Sequence, residues 1–441
     1  MKIIATILII LSVCADCMAQ FEIKLTDVGM GLSSTSVNTA IFRENAITTC
    51  RDTQFIAFYD PEGFLVLGKR ALDADGGGFG NFILQKSQYK TLKINDAHNV
   101  ISIAADGDGY IHVSFDQHTS QLRYCRSVAP YSLTLGELTP MVQGASMLEK
   151  NVTYPQFFNF KNGDLLFVYR NFNGIIIYYY STAKRQWQMV RNRLLEFDFS
   201  VRPYWQIAIG DDDAIHLSWL WRDNVNDANT NHGIYYACSH DYGRSWQTAD
   251  GKVMTQIFRR ENTAPVINIP KNSNLINQTT MAVDENGTPY IATYYRTGNS
   301  TNYHLIYRDG SKFCDVVVDQ RADDFSLDGI GTLKIPISRP RVVVGGGKIY
   351  YIIRDALNGT LPTMYYAEIH AGQKPSFDCI NLAADPLGAW EPLIDLTLWH
   401  KKHVLHLFMQ ETMQQNGDRS SDNKPTMVKI LEITPRTPAQ R

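Results

Sequence analysis

The stretch Ile215-His-Leu-Ser-Trp-Leu-Trp-Arg222 follows an Asp-rich turn, has a β-rich pattern, and ends in aromatic and charged side chains. Similar phrases start roughly 50 to 75 residues apart along the chain, and short strands repeated at such a period indicate a solenoid or a propeller. The repeat therefore decides both the fold and the place to look for chemistry. The copies occupy residues 54–60, 110–116, 165–170, 215–222, 290–296, 349–354 and 403–409.

The length and the apolar content are compatible with one large β domain. The chain has 441 residues, of which 44% are hydrophobic and 11% aromatic. Length alone suggests two or three domains, but an even repeat from about residue 40 to 415 favours one closed propeller with four-stranded blades. We predict an all-β fold, with a single seven-bladed β-propeller at residues 20–434 and a polar tail at residues 435–441.

Residues 1–19 have the features of a secretory signal peptide. Lys2 supplies a positive charge, residues 3–13 form an apolar run too short to span a bilayer, and a small residue precedes the expected cut at Gln20. Lipid attachment at a cysteine of this segment is less favoured, because neither follows the small residue that usually precedes a lipidated cysteine. We expect a secreted or periplasmic protein, and the sequence contains no other apolar run that suggests a membrane span.

Charge and cysteine content restrict the partners. The 42 basic and 44 acidic residues nearly cancel, which argues against a general nucleic-acid-binding protein. Attraction for an acidic partner must therefore come from local charge placement. The odd number of cysteines after the signal peptide is not a disulfide framework, so at least one is a free thiol or a metal ligand. These cysteines are Cys50, Cys125, Cys238, Cys314 and Cys379.

The stretch Ser239-His-Asp-Tyr-Gly-Arg-Ser-Trp246 has the Asp-box pattern Ser-x-Asp-x-Gly-x-x-Trp. We expect its Asp to bond backbone groups in a β-hairpin turn while its Trp packs between sheets. The motif is therefore interpreted as structural, and it is a marker of secreted propellers that act on sugars.

Two histidines and two tyrosines are candidates for acid–base chemistry. His98 precedes the second repeat strand and His118 follows it, so the two side chains can meet at the inner edge of one blade. Tyr154 stands beside Pro155 at a strand edge, where a phenol can face a cavity, and Tyr204 belongs to a similar aromatic and polar cluster. The alternatives are a hydrogen-bonded structural histidine and ordinary packing of the tyrosines in the sheet, and both remain open at this point.

Four arginines end repeat phrases at nearly equivalent positions. Equivalent strand ends of a propeller converge on one face, so these guanidinium groups would form a basic funnel. Arginine binds planar carboxylates with two hydrogen bonds, and the expected ligand is therefore acidic. The equally open alternative is that each arginine pairs with a carboxylate of a neighbouring blade. The four are Arg170, Arg222, Arg296 and Arg354.

One segment contains potential metal ligands. His232, Cys238 and His240 offer nitrogen and sulfur atoms of the kind that zinc prefers, and His216 can complete a tetrahedral set. The spacing is not a standard zinc pattern. We interpret a metal ion bound here as structural zinc, because closed sites with nitrogen and sulfur ligands usually are structural.

Several phrases of the chain resemble the secreted BNR-repeat (Asp-box) seven-bladed propellers over about residues 35 to 410. That family includes polysaccharide lyases that act on ulvan and on rhamnose–glucuronate units of plant arabinogalactan, and α-L-rhamnosidases that act on the same linkage. The resemblance is specific for the fold and weaker for the reaction. It is carried by phrases such as Asp96-Ala-His-Asn99, Val152-Thr-Tyr-Pro-Gln-Phe157, Tyr204-Trp-Gln206 and Thr230-Asn-His232.

The resemblance implies roles for individual residues. In the lyases a His and a Tyr act as base and acid while an Arg neutralises the uronate carboxylate. Carried over by motif, these roles fall on His98, Tyr154 and Arg170. A zinc site like that of the lyases would fall on the segment from His232 to His240. The supporting, substrate-binding positions implied by the resemblance are His118, Tyr204 and Arg222.

We predict a monomeric polysaccharide lyase that cleaves the rhamnose–glucuronate linkage of an acidic glycan by β-elimination and needs no cofactor for the chemistry. One alternative is an α-L-rhamnosidase, since Asp60, Asp116 and Asp355 at strand ends can supply the carboxylate pair that glycosidases usually need. The related rhamnosidases use a histidine near the N-terminus, on the opposite face, and here no histidine precedes His98. The other alternative is a non-catalytic glycan-binding propeller.

Overall fold

The computed structural model describes residues 20–198, 200–329 and 331–436 and shows seven antiparallel sheets arranged as the blades of a propeller. The predicted all-β, seven-bladed propeller is confirmed. The predicted signal peptide at residues 1–19 lies outside the described residues. Within the described part of the chain, no helix has the length and apolar character needed to cross a membrane.

The described strands are β1 (Phe21–Gly31), β2 (Ile47–Cys50), β3 (Thr53–Tyr59), β4 (Phe64–Leu72), β5 (Gly78–Lys90), β6 (Ile101–Ala105), β7 (Ile111–Phe115), β8 (His118–Ser120), β9 (Tyr124–Arg126), β10 (Val152–Asn159), β11 (Leu165–Asn171), β12 (Gly174–Ser181), β13 (Gln186–Arg191), β14 (Arg202–Ile209), β15 (Ile215–Arg222), β16 (Asn231–Ser239), β17 (Trp246–Thr248), β18 (Val253–Met254), β19 (Thr280–Val283), β20 (Pro289–Thr297), β21 (Ser300–Asp309), β22 (Lys312–Asp319), β23 (Arg341–Gly345), β24 (Lys348–Arg354), β25 (Pro362–Glu368), β26 (Asp378–Asn381), β27 (Leu393–Ile394), β28 (Leu405–Met409) and β29 (Thr426–Pro435). The α-helix of the described residues is α1 (Leu396–Lys402), and the 3-10 helices are Ser36–Asn38, Ile41–Arg43, Ala228–Thr230, Arg260–Asn262 and Ala356–Asn358.

Each repeat phrase forms the second long strand of its blade, which explains the period seen in the sequence. These strands are β3, β7, β11, β15, β20, β24 and β28. The sheets have the strand orders β2-β3-β4-β5, β6-β7-β9, β8-β10-β11-β12-β13, β14-β15-β16-β17-β18, β19-β20-β21-β22, β23-β24-β25-β26 and β27-β28-β29-β1.

The two ends of the described chain meet in the last blade. β1 pairs antiparallel with β29 from Phe21 opposite Pro435 to Gly31 opposite Thr426. The final strand thus includes the first residue of the segment predicted as a polar tail. The ring is therefore closed by hydrogen bonds between the first and the last strand.

The middle strands are buried on both faces because each sheet packs against two neighbouring blades. Every position of β7 and β11 is buried. This is why the repeat phrases are almost continuous apolar runs and do not alternate between apolar and polar residues. Burial of each large apolar side chain contributes roughly 1.5–3 kcal/mol. The fully buried tryptophans are Trp205, Trp219, Trp221, Trp246 and Trp390.

The Asp-box has the structural role that its pattern predicts. The Asp241 carboxylate accepts hydrogen bonds from the Ser245 backbone at 2.8 Å and from its hydroxyl at 2.6 Å. Trp246 is 1% exposed and packs in the core beside the turn. The motif fixes the hairpin between β16 and β17 and takes no part in a cavity at the axis.

The two ends of the propeller axis differ. At one end α1 lies over the last residues of the inner strands, where Thr397 and His400 line cavities together with Asn159 and Ile209. At the other end the first residues of inner strands and the last residues of second strands surround a polar cavity. That second end holds the cavity described next.

Candidate active site

A cavity of about 240 Å³ brings together six of the residues predicted from the sequence. Two neighbouring blades build its polar wall with the same pair of strand ends. The first residues of β10 and β14 contribute the tyrosines, and the last residues of β11 and β15 contribute the arginines. The six are His98, His118, Tyr154, Arg170, Tyr204 and Arg222.

A β-bulge holds Tyr154 in the cavity wall. The register of β10 against β11 shifts between Thr153 and Gln156, and Tyr154 has a φ of 58°, in the left-handed region. Pro155 cannot donate to the ladder, which is compatible with a bulge at this point. A bulge re-aims a side chain, and a residue other than glycine held in this region is strained. The strain at Tyr154 is therefore associated with the placement of its ring.

Asp96 binds both histidines of the cavity. Its Oδ1 accepts from the His98 backbone N–H at 2.9 Å and lies 2.7 Å from His98 Nδ1. Its Oδ2 lies 2.5 Å from His118 Nδ1. Burial alone would raise the pKa of Asp96, but the hydrogen bonds from His118 and His98 hold that pKa well below its usual value. Asp96 is therefore ionised and accepts a hydrogen bond from the Nδ1–H of each histidine.

The two imidazole rings stack with centroids 4.0 Å apart and planes 20° apart. Asp96, His98 and His118 each offer a metal-ligand atom within 4.8 Å of the others. A metal ion lies in the plane of an imidazole that binds it, so two nearly parallel rings cannot both point at one ion. The geometry favours a shared hydrogen-bond acceptor over a metal site at this cluster. Burial, and then the neighbouring His118, lower the pKa of His98 below its ordinary value.

Three arginines of the cavity have no acidic partner. No nitrogen of Arg170, Arg202 or Arg222 lies within 4.0 Å of a carboxylate oxygen of the described residues. Arg222 is held by the amide oxygens of Asn231 and Asn277 at 2.8 and 2.6 Å. One terminal nitrogen of Arg170 is buried without a hydrogen-bond partner among the described residues. The wall is therefore ready to bind an anion.

The arginines give the two tyrosines opposite ionisation properties. Burial, and then Tyr204, raise the pKa of Tyr154 to about 12. Burial also acts to raise the pKa of Tyr204, but Arg222 and Arg170 together lower it to about 8. The guanidinium carbons of Arg222 and Arg170 lie 4.4 and 4.9 Å from the centre of the Tyr204 ring. Tyr154 is therefore a protonated phenol at neutral pH, whereas Tyr204 ionises at mildly alkaline pH.

The structure does not place the other two predicted arginines in this cavity. Arg296 lies 2.8 Å from the carboxylate of Asp324, as the alternative of pairing anticipated. The Arg354 guanidinium donates to the backbone carbonyl groups of Pro336 at 2.9 Å and Trp390 at 3.2 Å. The predicted funnel of four arginines is wrong for these two.

The predicted zinc ligands are not all neighbours. His232 lies opposite Trp221 in the strand register and Cys238 lies opposite His216, which separates them by roughly 20 Å along β16. One ion cannot contact both. Cys238 Sγ lies 3.9 Å from His240 Nε2, and His216 Nε2 is buried without a hydrogen-bond partner among the described residues. The zinc prediction therefore loses His232, and among the described residues no group of three metal-ligand atoms within 4.8 Å of one another includes His216, Cys238 or His240.

The carboxylates proposed for a hydrolase are used elsewhere. Asp60 accepts from two backbone N–H groups of its own turn, Asp116 binds Arg123, and Asp355 binds Arg321 at 2.5 Å. None of the three lines the cavity. Among the described residues, the carboxylate that does so is Asp418, whose Oδ1 lies 3.9 Å from His98 Nδ1.

Sequence reasoning missed several polar residues of the site, among them Asp96, Arg202 and Arg339. Asp96 stands two residues before His98, where a carboxylate can accept from the following backbone, and this was the available signal. Arg202 begins the strand that carries Tyr204, but it lies outside the repeat phrases. Arg339 lines the cavity with its guanidinium paired to Glu391 at 2.8 Å, and no pattern in the sequence marked it.

Comparisons with known proteins agree with this architecture. A model of the BNR repeat-containing family matches residues 53–320, which is more than half of the chain. The chain is similar in structure to the polysaccharide lyase Uly1, with a TM-score of 0.63 and 16% identity over 88% of this chain and 89% of that one. It is equally similar to an ulvan lyase solved with -[GlcA(1-4)Rha3S]- bound, with a TM-score of 0.63 and 13% identity over 89% of this chain and 95% of that one. At these identities the likeness establishes the fold. A search of curated proteins finds no significant match.

Proposed function

The chain belongs to the BNR repeat-containing family, and from this premise we propose that it is a secreted polysaccharide lyase that cleaves the rhamnose–glucuronate linkage of an acidic glycan. The observation that carries the proposal is the cavity in which Arg170 and Arg222, both without a carboxylate partner among the described residues, flank two tyrosines and a histidine. The likeness in fold to ulvan lyases supports it.

The proposed reaction is β-elimination next to a uronic acid. The C5 proton of a glucuronate is poorly acidic because the adjacent carboxylate is already negative. Arg170, with Arg222, would bind that carboxylate and stabilise the enolate-like charge that develops as the proton leaves. The electrons of the C5–H bond form the new C4–C5 double bond, and the C4–O bond to the leaving sugar breaks.

His98 is the proposed base. Its lowered pKa keeps the imidazole neutral near pH 7, and its Nδ1–H is directed at the ionised Asp96 at 2.7 Å. The lone pair is then on Nε2, which is the atom that would accept the C5 proton. Asp96 acts as a positioning residue, since it fixes the ring and the tautomer.

Tyr154 is the proposed acid. Its pKa of about 12 keeps the phenol protonated, so that it can donate to the oxygen of the leaving sugar. Its ring centre lies 5.7 Å from that of His98, so one sugar linkage can reach both groups. The proposed steps use only side chains of this protein. A hydrolase working through two carboxylates is less supported, because Asp418 is the one carboxylate that lines the cavity among the described residues.

The test is the ultraviolet absorbance of the unsaturated uronate, followed with ulvan and with gum-arabic arabinogalactan as substrates. We expect His98→Ala and Tyr154→Phe each to lower the rate by about 10²- to 10⁴-fold. The matched control is His370→Ala, since the His370 side chain is 61% exposed and lies outside the cavity. Free rhamnose without new absorbance would indicate a rhamnosidase instead, and no product from either polymer would favour a binding propeller.

A further inference from the structure

Arg202 is a residue of the cavity that no step of the proposed reaction uses. In the strand register it lies directly opposite Arg222, and both side chains line the cavity. Like charges opposite each other on neighbouring strands repel. Burial, and then the nearby Arg170, lower the pKa of Arg202. The folded protein therefore keeps Arg202 in place against an electrostatic cost.

The guanidinium of Arg202 is half-buried and lacks the partners expected of a charge in that position. Its Nε is buried without a hydrogen-bond partner, and none of its nitrogens is within 4.0 Å of a carboxylate oxygen, among the residues that the structure describes. The ring of Phe197 lies 5.5 Å from its central carbon and supports the guanidinium. A half-buried guanidinium that lines a cavity without a carboxylate partner is the chemistry of an oxyanion site.

Charge balance indicates a second acidic group on the ligand. One uronate carboxylate held by Arg170 and Arg222 would still leave Arg202 without a counter-charge. Next to it, the ring of Phe172 is 50% exposed and stacks on Phe197 with centroids 6.3 Å apart. This aromatic surface extends outward from the arginine, and a further sugar ring can pack on it.

We infer that the cavity binds two acidic groups of one glycan, and that Arg202 binds the second. That group is an oxyanion on a neighbouring sugar, either a sulfate ester or the carboxylate of the next uronate. The inference rests on the proposed function for the nature of the ligand, but it concerns affinity and not bond cleavage. Arg202 is then a residue that selects for charge density along the polymer.

The test measures binding by calorimetry in a His98→Ala background, so that no ligand is cleaved. The probes are a desulfated glucuronate–rhamnose disaccharide with one acidic group, its rhamnose-3-sulfated form with two, and a desulfated tetrasaccharide with two uronates. Arg202→Gln is compared with Arg308→Gln, an arginine that does not line the cavity. We expect Arg202→Gln to weaken a ligand with two acidic groups by about 10- to 100-fold and to leave the one-acid disaccharide unchanged.

The pattern of losses identifies the second group. A loss with the sulfated disaccharide assigns a sulfate to Arg202, and a loss with the desulfated tetrasaccharide alone assigns the next uronate. An equal loss with the one-acid disaccharide, or no loss with any probe, would overturn the inference and leave the proposed function standing. If none of the probes binds the parent protein, the proposed function itself is contradicted.

Discussion

Arg321 and Arg170 are both buried arginines of the same propeller, but one lies between blades and the other in the cavity. Arg321 places Nε 2.5 Å and a terminal nitrogen 3.2 Å from the two oxygens of Asp355. Its remaining terminal nitrogen donates to the Asp323 carbonyl at 2.9 Å. Arg170 has no acidic partner among the described residues, and it packs over the ring of Tyr204.

The difference shows how charge serves stability in one region and ligand binding in the other. The charge of Asp355 raises the pKa of Arg321 against the effect of burial. In the cavity, burial and a neighbouring arginine lower the pKa of Arg202. Removing an arginine should therefore have opposite consequences in the two regions.

The largest effect is expected on stability, from breaking the pair between blades. Arg321→Met leaves the buried Asp355 carboxylate without its arginine, which should lower the free energy of unfolding by about 3–5 kcal/mol. Chemical denaturation measures this change. The double variant Arg321→Met with Asp355→Leu should recover most of the loss. If the single variant were as stable as the parent protein, the pair between blades would not stabilise the fold.

A smaller loss, in the rate of elimination alone, is expected when an arginine of the cavity is replaced. Arg170→Gln should lower the rate of elimination by about 10²- to 10³-fold, because it removes a charge that stabilises the transition state. Its thermal midpoint should stay level or rise, since the change relieves repulsion with Arg202 and Arg222. Initial rates and thermal unfolding of one preparation separate the two effects, and a clear drop in the midpoint would count against an unpaired arginine.

The ionisation of Tyr204 tests whether the arginines of the cavity act on a neighbouring phenol. We expect its phenolate to appear near pH 8 in an ultraviolet titration of the folded protein, below its ordinary value of 10. Because the folded pKa is depressed, Tyr204 contributes stability that is complete above pH 10 and is lost as the pH falls through 8. Arg222→Gln should move the transition upward, and an unchanged titration would show that the arginine does not act on this phenol.

The smallest effect is expected for a predicted arginine that lies outside the cavity. Arg296 and its partner Asp324 are 36% and 31% exposed. Arg296→Gln should change the free energy of unfolding by less than about 1 kcal/mol and leave the rate of elimination intact. A large fall in the rate of elimination would show that Arg296 takes part in the reaction despite its pairing with Asp324.

The fold was predictable because one physical requirement is repeated in every blade. The second strand of each blade is buried on both faces, so each carries the same apolar run after a polar turn. β24 and β28 satisfy this requirement as clearly as β11, although they are far apart in the sequence. The strands β1 and β29 that close the ring carry no repeat phrase. Their pairing register could therefore be read only from the folded structure.

The site was predictable only in part, since equivalent strand ends have different neighbours. Arg170 and Arg354 end equivalent strands, but backbone carbonyl groups approach Arg354 and leave Arg170 free to face the cavity. Whether such an arginine faces the cavity depends on contacts with segments that are distant in the sequence. Local sequence patterns carry no information about those contacts. The same holds for the predicted zinc ligands, because the strand register separates His232 from Cys238.

The pairing of β1 with β29 also determines when the ring can close during synthesis of the chain. A ribosome delivers residues 426–435 after all the other strands of the ring, so synthesis of nearly the whole chain precedes closure. Until then β28 offers the bare edge of an unfinished sheet, to which strands of other chains can add. Chaperones, or passage through a membrane in unfolded form, would protect that edge. A chain shortened before residue 426 would keep this hazard permanently, even with its cavity residues unchanged.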